Sequence, residues 1–498
     1  MDLLSNLAFG FSVAVTLQNL GYCFLGVMVG TLIGVLPGIG PLATIAILLP
    51  ITFNVGPVGA LIMLAGIYYG AQYGGSTTAI LVNLPGETSA VVTCIDGYQM
   101  ARQGRAGPAL AIAAIGSFVA GTAGTLLIAL AGPPLAEFAL KFGAPEYFSL
   151  MLMGLVAAAV LSEGDMIRSL AMVGLGLLLG IVGNDVNTGI PRFSFGITEL
   201  TDGIGFVVVA VGVFAVGEII NNLGQREERQ VFTGAIKNLM PTREDLRASF
   251  GPILRGTGIG AFFGVLPGTG PAVASLSSYI LEKKLAADPS RFGRGAIEGV
   301  AGPESANNAD AQCKFIPMLT LGLPASGVMA LMLGALTIHG IQPGPQVMTT
   351  RPELFWGLIA SMWIGNLMLV VLNLPLVGLW VRILKVPYRL LFPAIMAFSA
   401  IGIYSVNNNA IDIYLTALFA VVGFLWLKLG FNPAPLLLGF VLGPMVEEHL
   451  RRAMLMSGGD ALVFVQRPIS LTFIIATALL LLVLVLPALK RRRDTATG

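Results

Sequence analysis

The sequence predicts an all-α membrane protein that crosses the bilayer many times. Of its 498 residues, 55% are apolar and 11% are charged, whereas about a quarter of the residues in a soluble chain are charged. Uncharged runs at residues 355–381, 429–446 and 468–489 approach the roughly 20 residues that a helix needs to span hydrocarbon. These runs lack the alternation of a membrane β-strand, which favours helices over a barrel. A secreted, nuclear or cytosolic enzyme is therefore excluded.

Charge, cysteine and histidine content exclude further classes of ligand. The formal net charge is only +2, and no basic patch is interleaved with aromatic residues, so nucleic acid is not an expected partner. Cys23, Cys94 and Cys313 are far apart, which indicates packing residues rather than a disulfide framework or a metal site. His339 and His449 are expected in outer loops and have no metal-ligand spacing. The N-terminus lacks the basic region of a cleaved signal peptide, so the first apolar segment is expected in the mature protein.

Lysine and arginine residues orient the chain, because short loops that carry them stay preferentially in the cytoplasm. All of the basic loops can be cytoplasmic at once, which predicts that the C-terminus is inside the cell. These loops are Arg102 with Arg105, residues 224–255, residues 283–294, Arg382 to Arg389, and Lys490 to Arg493.

Two short motifs each occur twice. Residues 34–41 read GVLPGIGP and residues 264–271 read GVLPGTGP, so seven of eight positions are identical. The second motif, NLPG at 83–86, is echoed by GLPA at 322–325. The first motif recurs after 230 residues and the second after 239. The chain therefore contains an internal repeat with a longer insertion between the motifs of the second copy.

Loop charges predict that the two copies have opposite orientations in the membrane. The connection after the first motif is uncharged in copy one, at 51–58, and basic in copy two, at 283–294. After the second motif the pattern reverses, because Arg102 and Arg105 follow in copy one whereas residues 339–346 contain no lysine or arginine. Equivalent loops on opposite faces predict an inverted-topology repeat, the plan of many secondary transporters.

The repeat divides the chain into four parts. Residues 1–223 form the first repeat with accessory transmembrane helices, and residues 224–255 form a cytoplasmic connecting loop. Residues 256–489 form the second repeat with its accessory helices, and residues 490–498 form a basic cytoplasmic tail.

The PGxGP sequence interrupts helices, because proline lacks an amide donor and glycine favours non-helical dihedrals. An open backbone in hydrocarbon is tolerated only where protein or a water-filled cavity surrounds it, so the interruption points to a binding site. The alternative is a tight turn at the membrane surface, which two copies with inverted surroundings make less attractive.

Short apolar pieces flank these interruptions and predict re-entrant helical hairpins and broken helices. The half-helices are residues 42–51, 77–84 and 312–323, with full helices at 59–73 and 295–311 between them. Helix N-termini that begin at hairpin tips present unpaired N–H groups with partial positive charge, which suits a carboxylate. The four tips are residues 37–41, Pro85-Gly86, residues 267–271 and Pro324-Ala325.

Tip residues and nearby hydroxyls and amides form the predicted site for substrate and ion. Each polar side chain has an alternative role as hydrogen-bonding glue between helices. The predicted residues are Pro37, Gly38, Gly40, Ser76, Thr77, Asn83, Pro85, Gly86, Pro267, Gly268, Thr269, Gly270, Ser275, Asn307, Asn308, Pro324 and Ser326.

Four charged residues within the apolar segments are candidates for ion coupling or for structural pairs. Glu87 follows a copy-one tip, and Glu304 precedes Asn307 by about one helical turn. Asp310 stands four residues before Lys314, the spacing of a helical ion pair. That pair is expected to be structural, because an isolated charge in the membrane is costly.

Six motifs resemble the large membrane subunit of the tripartite tricarboxylate transporter family, and together they extend over most of the chain. They are GVLPGIG at 34–40, YGGS at 73–76, NLPG at 83–86, DGYQMA at 96–101, PESANN at 303–308 and residues 331–340. One departure from the family pattern is Ala325, where a glycine often follows the proline.

The resemblance implies a subunit of the bacterial inner membrane. It also implies two partners, a small transmembrane subunit and a periplasmic solute-binding protein that delivers a carboxylate, with uptake coupled to an ion gradient. The expected function is therefore secondary active uptake of an organic carboxylate, without enzymatic activity or a cofactor other than a coupling sodium ion or proton. The alternatives are a passive organic-anion channel and a membrane-embedded enzyme, although no catalytic constellation is found in the sequence.

Overall fold

The chain is almost entirely helical. The structure, a computed structural model, describes residues 3–36, 40–162, 165–185, 188–223, 239–383 and 388–496. Within these residues, the strands are two short antiparallel segments, β1 (Gly183–Asn184) and β2 (Pro191–Arg192), which pair Gly183 with Arg192.

The helices of the first half are α1 (Leu3–Ala14), α2 (Leu17–Gly34), α3 (Pro41–Thr52), α4 (Pro57–Val82), α5 (Ala90–Arg102), α6 (Ala106–Ala139), α7 (Ala144–Leu161), α8 (Met166–Gly180), α9 (Phe206–Ala210) and α10 (Gly217–Leu223). The helices of the second half are α11 (Arg243–Val265), α12 (Pro271–Leu285), α13 (Glu298–Cys313), α14 (Phe315–Leu321), α15 (Gly327–Ile338), α16 (Val347–Thr350), α17 (Pro352–Asn373), α18 (Val377–Ile383), α19 (Tyr388–Asn407), α20 (Ala410–Lys428), α21 (Ala434–Met456), α22 (Val463–Gln466) and α23 (Pro468–Ala496). A π-helical turn, Val211–Val216, joins α9 to α10.

Five of the described helices are long and apolar enough to cross a membrane: α2, α6, α7, α17 and α20. Further apolar helices, such as α3 and α15 with 12 residues each, are too short to span hydrocarbon alone. Large apolar side chains such as Leu127 and Val421 are exposed on the outside of the bundle, as expected for a surface that faces lipid. The prediction of an all-α polytopic membrane protein is confirmed.

Helices α2 and α4 pack along a seam of glycine. A Cβ atom on any of three glycines in α2 would lie 2.3–2.4 Å from a backbone carbonyl oxygen of α4, so only glycine permits this approach. Small residues let membrane helices approach closely and gain van der Waals contact. The pairs are Gly26 with Met63, Gly30 with Ile67, and Gly34 with Ala71.

The same seam occurs between α11 and α13. Cβ atoms on three glycines of α11 would lie 2.1–2.6 Å from carbonyl oxygens of α13. The pairs are Gly256 with Gly302, Gly260 with Ala306, and Gly264 with Asp310. Each α11 glycine follows its α2 counterpart by 230 residues, and each α13 residue follows its α4 counterpart by 239. These intervals are the ones that separate the sequence motifs, so the two copies share the same helix packing.

The helix that precedes the second motif ends in the same way in both copies. Helix α4 ends at Val82, and Asn83 has the left-handed backbone angle φ = 57°. Helix α14 ends at Leu321, and Gly322 has φ = 70°. In both copies a residue of the left-handed region therefore ends the helix just before Leu-Pro. The inversion of one copy relative to the other in the membrane stays a prediction.

The structure corrects the predicted half-helices in copy one. Residues 77–84 were expected to form a separate arm, but residues 77–82 are the last part of the continuous helix α4. Apolar side chains continue through Ile80 to Val82 and no proline interrupts the helix before Pro85, so the helix continues to Val82. The predicted half-helix at 42–51 is confirmed as α3. In copy two, Lys314 separates α13 from α14 within the predicted piece 312–323.

Two predictions about loops are also corrected. His449 was expected in a loop, but it lies within α21, where its ring stacks on Tyr147 with a centroid distance of 5.0 Å. The predicted connecting loop 224–255 ends in helix, because α11 begins at Arg243 after an N-terminal capping box of Thr242 and Asp245. Residues 224–238 lie outside the described part of the chain.

Asp96 joins the two copies at one end of the bundle. Its carboxylate accepts hydrogen bonds from the backbone N–H groups of Gly293 (2.9 Å), Gly295 (2.7 Å) and Ala296 (2.8 Å). The Tyr279 hydroxyl donates a fourth, at 2.8 Å. Asp96 is fully buried, so α5 of copy one is held firmly against the α12–α13 connection of copy two.

Candidate binding cavity

The four predicted tips meet at one cavity with a volume of about 660 Å³. This volume lies in the usual range for small-molecule sites. Residues from every tip line the cavity: Gly40 and Pro41, Pro85 and Gly86, Gly268 to Pro271, and Ala325 with Ser326. The tips are far apart in sequence, so their convergence is a property of the packed bundle.

Four helix N-termini surround the cavity. Helices α3, α12, α15 and α21 all begin at residues that line it, with the preceding residues Gly40, Gly270, Ser326 and Pro433 also in the wall. The first N–H groups of a helix have no partner within the helix and carry a partial positive charge. The described lining residues include no lysine, arginine or histidine. Any attraction for an anion therefore comes mainly from backbone groups.

Backbone contacts hold two tips together. The N–H of Gly268 donates a hydrogen bond to the carbonyl oxygen of Ala325 at 2.9 Å, which links the third tip to the fourth. Gly268 has φ = 82°, and a Cβ atom there would lie 2.5 Å from the carbonyl oxygen of Ala157 in α7. Only glycine satisfies both demands.

A polar wall lies between the copy-one tip and α13. Glu87 lines the cavity and is 9% exposed. Its Oε1 atom accepts hydrogen bonds from the Ser89 hydroxyl and from Nδ2 of Asn307, the latter at 3.0 Å. Gln72 and Tyr68 of α4 line the cavity beside it. Copy one and copy two are therefore joined by a hydrogen-bonded carboxylate at the cavity wall.

A second carboxylate lies deeper, with no access to the cavity. Glu304 is 1% exposed, and it accepts hydrogen bonds from Ser76 (2.6 Å) and Thr93. Both donors belong to copy one, whereas Glu304 belongs to copy two. These buried contacts satisfy the carboxylate oxygens, as low-dielectric surroundings require.

The ion pair predicted between Asp310 and Lys314 is present. Their side chains are in contact and both are fully buried. Lys314 therefore neutralises Asp310, and Glu87 and Glu304 have no cationic partner among the described residues.

A family model for the tripartite tricarboxylate transporter TctA family matches residues 20–438. The chain belongs to the TctA family. It is 59% identical to an Agrobacterium vitis protein described as an uncharacterized 52.8 kDa protein in the TAR-I ttuC' 3' region, over 494 residues that cover 99% of this chain and 98% of that protein. It is 57% identical to an Agrobacterium vitis protein described as an uncharacterized protein in the TAR-II ttuC' 3' region, over 235 residues that cover 47% of this chain and 97% of that protein. No solved structure matches the chain.

This TctA-family chain brings a subset of its predicted site residues to the cavity. Eight of them line it: Gly40, Pro85, Gly86, Glu87, Gly268, Thr269, Gly270 and Ser326. Pro267 and Pro324 belong to the tips, and Asn83 lies just before one, but none of the three lines the cavity. Pro37 and Gly38 lie outside the described residues.

Several predicted ligands, including the cavity-lining Thr269, make their side-chain hydrogen bonds within the protein. Thr269 donates to the carbonyl oxygen of Phe263 at 2.6 Å, and Ser275 donates to that of Pro303 at 3.1 Å. Asn308 donates to the Ser117 hydroxyl at 2.7 Å. These contacts are the hydrogen-bonding role that the sequence left open as the alternative.

Ser76 and Thr77 line a separate, much smaller polar cavity of about 10 Å³. Its other polar walls include Ser117 and Asn373, and the Asn373 Oδ1 atom has no partner among the described residues. A space of this size suits one water molecule.

Several residues that line the cavity were not predicted from the sequence. Tyr68 and Gln72 were not predicted because they lie within the long helix α4, where no proline or other interruption marks a binding site. Glu218 of α10 also lines the cavity. It is an acidic residue within an apolar stretch that begins at Phe206, and such a residue in a membrane segment indicates a functional site. The π-helical turn at Val211–Val216 contributes Val213 and Phe214 to the wall; such turns are frequent at functional sites.

Proposed function

We propose that this chain is the large membrane subunit of a secondary active, ion-coupled and binding-protein-dependent importer of organic carboxylates. The observation that carries the proposal is the convergence of four interrupted-helix tips on one cavity whose wall holds four helix N-termini. Helix N-termini bind carboxylates without a basic side chain. Membership of a transporter family supports transport rather than enzymatic chemistry.

The charges at the cavity favour coupling to a cation. Two carboxylate side chains, Glu87 and Glu218, line the wall. The four helix termini supply roughly half an elementary charge each, or about +2 in total. If both glutamates were ionised, an organic polyanion beside them would exceed that positive charge. Protons or sodium ions that bind at the glutamates offset the excess, and we propose that they enter with the substrate.

The buried contacts favour joint movement of the two repeat cores. Glu87–Asn307, Ser76–Glu304 and the Asp96 contacts all cross from one copy to the other inside the protein. The remaining wall of the cavity comes from α7, the α9–α10 segment and the α20–α21 turn. In an inverted repeat, movement of the joined cores against these helices exposes the tips to each side in turn.

The tripartite family name supports two further partners. We place the chain in a bacterial inner membrane, with its C-terminus in the cytoplasm, beside a small transmembrane subunit and a periplasmic solute-binding protein. The cavity offers general carboxylate chemistry, so the binding protein is proposed to determine which carboxylate is delivered.

Reconstitution tests the proposed function. The chain and its small subunit are placed in liposomes, with and without the binding protein, and uptake of mono-, di- and tricarboxylates is measured under an imposed sodium or proton gradient. Selective uptake that requires both the binding protein and one of the gradients is expected. Uptake that continues down the substrate gradient after the ion gradient is dissipated would instead support the anion channel. Efficient, selective uptake by this chain alone would overturn the dependence on a binding protein.

A further inference from the structure

The small polar cavity between α4, α6 and α17 has a wall rich in hydrogen-bond acceptors. Among the described residues, four with hydroxyl groups line it: Tyr73, Ser76, Thr77 and Ser117. Three of these hydroxyl groups already donate their hydrogen to acceptors within the protein. The pairs are Tyr73 with Asn366 Oδ1 (2.9 Å), Ser76 with Glu304 Oε2 (2.6 Å), and Thr77 with the Tyr73 carbonyl oxygen (3.3 Å). Their oxygen atoms therefore keep lone pairs for a ligand in the cavity.

Asn373, the last residue of α17, adds an acceptor that has no partner. Its side chain is 6% exposed and lines the cavity. The Nδ2 atom donates to the carbonyl oxygen of Leu369, one turn earlier, at 2.9 Å. This bond fixes the orientation of the amide, because the reverse orientation would bring two carbonyl oxygens together. The Oδ1 atom has no hydrogen-bond partner among the residues that the structure describes. Buried acceptors without a partner are uncommon in native proteins.

Glu304 places a carboxylate next to this wall. Both of its oxygen atoms accept hydrogen bonds from hydroxyl groups, and one of the donors is Ser76 of the cavity wall. No lysine, arginine or histidine among the described residues forms an ion pair with Glu304. A buried charge without a counter-charge is costly in a membrane protein. A cation that contacts the Ser76 oxygen lies one hydroxyl group away from this carboxylate.

We propose that this small cavity binds one sodium ion. Hard cations take oxygen ligands, and the wall supplies the Asn373 amide oxygen and the hydroxyl oxygens of Ser76 and Thr77. The volume of about 10 Å³ is at the lower limit for a water molecule, so a dehydrated sodium ion fits more readily than potassium. Its charge balances that of Glu304 where the two copies meet. The site is separate from the ions proposed at Glu87 and Glu218, and it goes beyond the proposed transport.

The test is thermal unfolding of the purified full-length chain in detergent, without added carboxylate. Sodium, potassium and choline chloride are compared at constant ionic strength. Sodium is expected to raise the unfolding temperature until the site is saturated, because a ligand that binds only the folded state stabilises it. Potassium is expected to have a smaller effect and choline none. Equilibrium binding of radioactive sodium to the same preparation gives the dissociation constant.

Substitutions in the wall locate the ion. Asn373→Leu replaces the unpaired amide by an apolar side chain of similar size, and it is expected to raise the dissociation constant for sodium about tenfold or more, as for loss of a contact to a charged group. Thr77→Val is expected to weaken binding as well, and it keeps the test open if the leucine variant does not fold. Glu304→Gln removes the charge that the ion balances and is also expected to weaken binding.

Thr320→Val is the matched control for Thr77→Val. Both threonines are buried, and each donates to the carbonyl oxygen of the residue four positions earlier. Only Thr77 lines the small cavity. Thr320→Val is therefore expected to bind sodium like the wild type.

Several outcomes would overturn the inference. Equal unfolding temperatures in sodium, potassium and choline, with no sodium bound, would leave only a water molecule in the cavity. Equal losses in Thr77→Val and Thr320→Val would show only the general effect of removing a buried hydroxyl group. A sodium response that is lost in Glu87→Gln and retained in Asn373→Leu would place the ion at the large cavity instead. Transport is measured separately, so absence of gradient-driven uptake would contradict the proposed function while leaving this sodium site in place.

Discussion

Glu87 lies where the cavity wall meets the buried polar groups of both copies. Ser89 and Asn307 hold its Oε1 atom, while no hydrogen bond to the other oxygen is found among the described residues. Asn307 is buried and donates its amide to Glu87. A change of charge at this carboxyl therefore acts on the cavity and on the contact between copies together.

Replacement of Glu87 by glutamine tests its role in coupling. Glu87→Gln keeps the shape of the side chain and removes its charge, so a proton or cation is no longer needed to offset it. Carboxylate exchange across the membrane is expected to continue, whereas uptake is expected to lose most of its dependence on the ion gradient. The measurements are uptake and exchange in liposomes with and without the gradient.

Glu199→Gln is the control for this variant, because Glu199 is exposed on the connection between β2 and α9. It is expected to behave like the wild type. Gradient dependence that is unchanged in Glu87→Gln would assign the Glu87 carboxyl to a structural role.

At the level of helices, the two glycine seams constrain how the helices of each copy pack. Each seam brings backbones so close that a single methyl group has no room. Because membrane helices gain little from the hydrophobic effect between themselves, this close van der Waals contact contributes much of their association. The seams also set the position of the tips, since α2 and α11 lead directly to the first motif of each copy.

Alanine substitutions within the seams are expected to destabilise the protein. In Gly30→Ala and Gly260→Ala the new Cβ atom would lie 2.4 Å and 2.1 Å from a carbonyl oxygen, so the helices must separate. Overpacking of this kind costs about 1–3 kcal/mol. The measurement is the thermal unfolding temperature of the purified protein in detergent.

Each seam has a control on its own helix. Gly21 of α2 and Gly258 of α11 have open space where a Cβ atom would be added. Gly21→Ala and Gly258→Ala are expected to unfold at or slightly above the wild-type temperature, because alanine favours helix over glycine. Equal effects of seam and control substitutions would show that the close contacts do not determine stability.

For the whole molecule, the side of the membrane on which each loop lies defines the orientation of the cavity. Basic loops predict that residues 224–255 are cytoplasmic and that the connection after α15 faces outward. Met240 is 76% exposed, and Gln342 is also exposed, so a thiol at either position is accessible to reagent.

Cysteine labelling tests this orientation in cells. On a background without Cys23, Cys94 and Cys313, Gln342→Cys is expected to react with a membrane-impermeant maleimide when the inner membrane is intact. Met240→Cys is expected to react only after that membrane is permeabilised. Labelling of Gln342→Cys from the cytoplasmic side alone would contradict both the topology and the inverted repeat.

The sequence by itself determined the class of the protein, its repeat and its tips. Apolar composition requires a bilayer, and Pro-Gly interruptions act locally on the backbone, so both are readable from neighbouring residues. The repeat was readable for the same reason, since Pro37 and Pro267 stand in nearly identical octapeptides. The break proposed between residues 73 and 77 was wrong, because α4 continues without interruption from Pro57 to Val82.

Only the tertiary structure decided which side chains meet at the cavity. Gln72 lies in α4, Glu87 in the connection between α4 and α5, and Glu218 in α10, so only the packing of these segments brings them to one cavity. Thr269 and Asn308 have the chemistry of ligands, but neighbouring carbonyl and hydroxyl oxygens take their hydrogen bonds. Local residue chemistry specifies where a helix stops, whereas the partner of a buried polar group depends on contacts between segments far apart in the chain.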